Sequence, residues 1–77
     1  MSARAYVLIE VAPGAASDVI AALRAMPAII SADAVTGPYD IIAVIETDAS
    51  SAVGALVIER IRPVQGINRT MTCLVLQ

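Results

Sequence analysis

Two short clusters hold the residues of this chain best suited to chemistry. Thr36-Gly37-Pro38-Tyr39-Asp40 sets a single carboxylate beside a glycine-proline turn. A carboxylate pairs with an ammonium group, and backbone amides left free in a tight turn hold an anion such as a second molecule's carboxylate. The same five residues are equally what a tight strand connection uses for its own sake: Asp40 then caps the turn, and Tyr39 packs with its hydroxyl at the rim. Thr70 and Thr72 form the second cluster. Their hydroxyls can serve a hydrogen-bonding ligand or a facing subunit, although threonine in a strand needs no function to explain it.

Other chemistries lack their residues. Histidine is absent, as are Lys, Trp and Phe, so the commonest general base and metal ligand is missing. Seven carboxylates and two tyrosines remain, with no nucleophile and base at a productive spacing. Neither catalysis nor a cofactor or metal is expected. The one cysteine, Cys73, has no partner for a disulfide and lies in an apolar run, which reads as a buried, inert thiol. Glu10 and Glu46 read as solvated strand ends. Five Arg spread along a chain of net charge −2 leave no basic stripe, so direct nucleic-acid binding is not expected.

The elements that must position these residues follow from hydrophobic period. Ala5–Val11 is a β-rich run closed by Ala12-Pro13-Gly14, hence a strand and a turn. Val19, Ile20, Leu23 and Met26 recur at helical spacing between Ala15 and Met26, with Pro27 beyond. Ile29–Thr36 and Tyr39–Glu46 read as two strands joined by the Gly37-Pro38 connection, a hairpin. Ser50 and Ser51 offer N-cap side chains to a second helix carrying Val53, Leu56, Val57 and Ile61 and ending at Pro63. Asn68–Leu76 closes the chain as a last strand. The order β-α-β-β-α-β is that of the ferredoxin-like α+β sandwich, an antiparallel four-stranded sheet with both helices on one face.

Composition then says how the sandwich must live. The 77 residues suffice for one domain, residues 1–77, yet 58% are hydrophobic and mean hydropathy is +0.81. No stretch reaches the roughly 18 to 20 unbroken apolar residues of a membrane span, and no secretory signal opens the chain. A cytoplasmic protein without membrane contact is expected. Strands one and three are apolar on both faces, as Val7/Ile9/Val11 alternate with Tyr6/Leu8, and Ile41/Ala43/Ile45 with Ile42/Val44. Two helices cover one face, so a second copy stacked on the open face is the simplest answer, making a homo-oligomer. Glu10, Glu46, Thr70 and Thr72 are assigned by parity to that open face.

Read in order, Tyr6-Val7-Leu8-Ile9-Glu10-Val11-x-Pro13-Gly14, the hairpin Val35-Thr36-Gly37-Pro38-Tyr39-Asp40-Ile41 and the ending Ile61-x-x-Val64-x-Gly66-Ile67-x-x-Thr70-x-Thr72 resemble the effector-binding (RAM) domain of the Lrp/AsnC, or feast/famine, transcription regulators. The resemblance spans nearly the whole chain. It implies a dimer through the open sheet faces, a ring of dimers, and a small amino acid or related metabolite bound between dimers by Thr36, Gly37, Pro38, Tyr39, Asp40, Thr70 and Thr72. The family's regulators carry a DNA-binding helix-turn-helix ahead of this domain. Here the first strand begins almost at once, which suggests a stand-alone sensor that oligomerises and modulates a full-length Lrp/AsnC relative. The alternative in another class is a small cofactor-independent dimeric α/β-barrel enzyme of monooxygenase or isomerase type. RNA-binding and metal-carrying modules of the same topology are disfavoured, since aromatic platforms are missing and the first loop, Ala12-Pro13-Gly14-Ala15, holds no metal ligand.

Overall fold

A computed structural model describes residues 2–76. Seven segments follow in order: β1 (Ala3–Val11), α1 (Ala16–Arg24), β2 (Ile29–Ala34), β3 (Ile41–Thr47), α2 (Ser51–Leu56) with a π-helical continuation (Val57–Ile61), and β4 (Ile67–Leu74). The strands form one antiparallel sheet in the order β2-β3-β1-β4. This is the expected ferredoxin-like sandwich, with the two halves of the chain interleaved so that β1 and β3 take the centre.

Alternation along the central strands decides what is buried. Ala5, Val7 and Ile9 of β1 and Ile41, Ala43 and Ile45 of β3 are fully shielded beneath Val19 and Leu23 of α1 and Val53, Val57 and Ile61 of the second helical segment. All thirteen core residues are apolar, and no buried side-chain polar atom lacks a partner among the described residues. The opposite face stays uncovered in the single chain. The accessible surface of the whole chain, 4797 Å², exceeds the about 4,500 Å² typical of a monomer of this mass.

The second helix departs from plain α geometry for a packing reason. Val53, Val57 and Ile61 stand four residues apart, and at α pitch four residues overshoot a full turn by about 40°. The wider turn absorbs that drift, keeping all three over the sheet; Arg62 N–H accordingly donates to the Val57 carbonyl five residues back, at 2.8 Å. Ser50 does occupy the N-cap position, but its side chain makes no capping hydrogen bond, contrary to expectation; the Thr47 hydroxyl instead donates to the Ala49 carbonyl at 2.7 Å. Helix α1 stops at Arg24, short of Met26, because the chain tightens there, Met26 N–H reaching Leu23 O at 3.0 Å.

Both edge strands carry a bulge. In β2, Ile29 and Ser31 oppose consecutive β3 residues Ile45 and Val44, leaving Ile30 extra. In β4, Ile67 and Arg69 oppose Val11 and Glu10, leaving Asn68 extra. Bulges bend an edge away from flat pairing and so discourage further strands from adding to it.

The β4 bulge also corrects two readings of the sequence. Thr70 lies opposite Ile9 and Thr72 opposite Val7, so both share the helix-side face of the sheet and not the open one. They remain partly or fully exposed there because β4 is an edge strand beyond the reach of the helices, which pack on β2 and β3. Cys73, opposite Tyr6, is on the open face and exposed, not buried in the core. Glu10 and Glu46 do fall on the open face, in cross-strand register with Arg69 and Arg4.

Candidate functional site

The Thr36–Asp40 turn is fastened to β1 at its last residue. Asp40 N–H donates to the Ile9 carbonyl at 2.9 Å, Val35 N–H donates to the Asp40 carbonyl at 2.9 Å, and the Asp40 Oδ2 accepts from Val11 N–H at 2.9 Å. That last bond occupies a donor at the point where the β1 and β4 registers slip past one another. Asp40 is therefore structural through one oxygen, while Oδ1 accepts no hydrogen bond from the described residues. Thr36, Gly37 and Pro38 are exposed. The amide N–H groups of Thr36, Gly37 and Tyr39 donate to none of the turn and loop partners, so they are free to hold an anion. Gly37 makes this shape possible with φ +120°.

Tyr39 reaches across the open face, its hydroxyl 3.5 Å from the Met71 Sδ. The turn thus touches β4, but from the side opposite Thr70 and Thr72. Within one chain the sheet separates the two clusters that the sequence singles out, and only Tyr39 and Asp40 of the turn are drawn against the body of the fold.

The open face has its own organisation. Tyr6, Leu8, Ile42, Val44, Met71 and Cys73 form its apolar middle. Ion pairs close both ends: Arg4 with Glu46 at 3.0 Å and Arg69 with Glu10 at 3.9 Å. An apolar centre within a charged rim is the anatomy of a protein contact surface. Among the described residues no group of three or more metal-ligating side chains gathers, and no helix is long and apolar enough to cross a membrane.

Sequence reasoning overlooked one feature, a cleft of about 360 Å³ between the end of the second helical segment and β4, lined by Arg62, Ile67, Asn68, Arg69 and Thr70. Two arginines and an asparagine flanking Thr70 were its available signal.

Comparison with known proteins bears on this geometry. The Lrp/AsnC ligand binding domain matches residues 4–77. No curated protein sequence matches. Among solved structures, the chain is similar to hypothetical protein PHS023 from Pyrococcus horikoshii, with 32% identity, TM-score 0.90, and coverage of 100% of this chain and 92% of that one. It is also similar to FFRP-DM1, with 32% identity, TM-score 0.91, and coverage of 96% and 99%. Escherichia coli AsnC shares the fold, with 22% identity and TM-score 0.91, but 97% of this chain spans only 51% of AsnC. A Neisseria meningitidis transcriptional regulator solved as its L-Met complex shares it too, with 21% identity, TM-score 0.88, and coverage of 97% and 50%. With the βαββαβ sandwich, the Gly37 turn and the match over residues 4–77 all in place, the chain belongs to the Lrp/AsnC family as its ligand-binding, regulatory domain.

Proposed function

We propose that this domain is a non-catalytic amino-acid sensor that works as an assembly of copies. The observation carrying the reading is the Thr36–Asp40 turn, which offers a free carboxylate oxygen at Asp40 beside unpaired backbone amides, inside a domain of an effector-binding family. The ammonium of an amino acid pairs with Asp40, and its carboxylate takes the amides of Thr36, Gly37 and Tyr39. Pro38 fixes the backbone that presents them. Thr70 and Thr72, on the far side of their own sheet, serve the same ligand from a neighbouring copy. The neighbouring regulator's L-Met complex supports an amino acid as the effector class.

Two copies pack their open faces, burying Tyr6, Leu8, Ile42, Val44, Met71 and Cys73, and dimers assemble further into a ring. A ligand held between dimers stabilises the ring by its differential affinity for that state. Co-assembly with a full-length Lrp/AsnC regulator would carry the signal to DNA in the cytoplasm.

The test is a thermal-shift screen against the twenty amino acids at millimolar concentration. A ligand at 100 times its Kd adds about 2.7 kcal/mol to the folded state. Selective stabilisation by one or two related amino acids is expected, and a flat response to all twenty overturns the sensor reading. Asp40→Asn then separates the two roles of that residue: its amide oxygen still accepts from Val11 N–H, while the charge is gone. Stability should hold to within about 1 kcal/mol, with effector affinity down at least tenfold; unchanged affinity removes Asp40 from the site.

A further inference from the structure

Two of the five arginines of this acidic chain line one cleft. Arg4 and Arg24 are held by Glu46 and Asp33 at 3.0 and 3.5 Å. Arg62 and Arg60, by contrast, pair with no carboxylate among the described residues, Glu59 of the same helical turn included, and make no side-chain hydrogen bond. Arg69 meets Glu10 only at 3.9 Å, beyond hydrogen-bonding distance. Arg62 and Arg69 line the cleft beside β4, together with Asn68, Thr70 and the half-buried Ile67, and no acidic residue lines it.

The strand adds donors of its own. Asn68 is the extra residue of the β4 bulge, so it falls outside the paired ladder. Val75 N–H donates to the Arg4 carbonyl at 2.8 Å. Antiparallel pairs alternate between bonded and non-bonded, and counting back by two from Val75 makes Cys73, Met71 and Arg69 the residues bonded to β1. Thr70, which lines the cleft, therefore turns its backbone N–H away from β1 toward the free edge of the sheet. An amide N–H, a hydroxyl, a carboxamide and two guanidinium groups thus line one concavity, and of the two arginines only Arg69 has a carboxylate near it, Glu10, while Arg62 has none among the described residues.

We propose that this cleft binds the oxyanion group of a small metabolite, a carboxylate or a phosphate, with Arg62 as its principal charge. Guanidinium is suited to both, since its planar donors match two oxygens at once. The site goes beyond the effector reading: it shares Thr70 with that reading and requires neither Asp40 nor the Thr36–Asp40 turn.

The experiment is a backbone-amide NMR titration of the full chain with inorganic phosphate and, separately, with acetate, each against sodium chloride at matched ionic strength. Saturable shifts confined to Arg62 and residues 67–70 are expected at millimolar concentration. A response to phosphate alone identifies a phosphorylated ligand, and a response to acetate identifies a carboxylate. Arg62→Gln should weaken binding roughly tenfold or more, whereas Arg60→Gln, an equal charge change on an exposed neighbour, and Asp40→Asn should leave it within about twofold. Shifts that chloride reproduces, shifts that fail to saturate, or equal losses from Arg60→Gln and Arg62→Gln each overturn the proposal. Because Asp40→Asn affects amino-acid binding alone, the two sites fail independently.

Discussion

If two copies pack their open faces as proposed, Val44→Glu is expected to run as a monomer at concentrations where the parent chain runs as a dimer. Val44 is half-buried at the middle of the open face, opposite Tyr6. An uncompensated charge buried in an apolar contact costs about 3–5 kcal/mol, and a two-fold interface receives each substitution twice. Even the lower figure, doubled, raises the dimer Kd by roughly four orders of magnitude. Sedimentation equilibrium measures this directly. Cys73 gives a second readout, since its thiol, exposed in one chain, should react slowly with a maleimide in the parent and rapidly in the variant. A Val44→Glu dimer of unchanged affinity would sink the face-to-face packing.

Gly66→Ala should be the most damaging single methyl in the chain. Gly66 sits at φ +101°, where an L side chain is strained, and a Cβ there would stand 2.9 Å from the Ala15 Cβ and 3.1 Å from the Val19 Cγ2. The same residue's carbonyl accepts from Ala12 N–H at 2.8 Å, tying the loop before β4 to the loop after β1. Neither neighbour can yield cheaply, because Val19 is fully buried and Ala15 opens α1. Backbone strain and overpacking together cost on the order of 2–5 kcal/mol, equivalent to a fall in Tm of at least about 8 °C for a chain of this length. Gly37→Ala is the control: its φ is also positive, but open space surrounds the added Cβ. It should lose the conformational share alone, about 1–3 kcal/mol. Equal losses at the two glycines would show that conformation alone, and not the contact with α1, makes Gly66 necessary.

The contrast between Ile67 and Thr70 shows how far the sequence could be read. Strand order, both helices and the hairpin are written in local patterns, because Val7/Ile9 and Ile41/Ala43/Ile45 alternate cleanly and Val19/Leu23 keep helical spacing. The faces of β4 are not local. Ile67 packs against the core, and strict alternation from it would send Arg69, Met71 and Cys73 inward. The extra residue at Asn68 reverses that parity, and nothing in Asn68 itself announces a bulge. Alternating Thr-x-Thr against Met-x-Cys fits either face equally well. The choice is made by where the helices end, since they leave the helix side of β4 open to water and the other side continuous with Tyr6 and Leu8. The π turn was hidden for a similar reason, as Val53, Val57 and Ile61 look like ordinary helical spacing until all three must meet one sheet. At the candidate site, the turn chemistry of Thr36–Asp40 was legible, but the bond from Val11 to Asp40 joins residues 29 positions apart, and no short motif encodes it.

The strand order has a consequence for the time at which the fold can exist. β1 is made first of the four strands, yet both its neighbours come later: Ile9 waits for Ile41, and Ala5 waits for Leu74. At a synthesis rate of about 5–20 residues per second, the stretch from Ala5 to Leu74 takes roughly 3 to 14 seconds on the ribosome. Throughout that interval the central strand β1 has at least one unpaired side, while the β2–β3 hairpin can already close. Until β4 arrives, the side of β1 that will receive it is an open strand edge, the kind of surface on which another chain can pair.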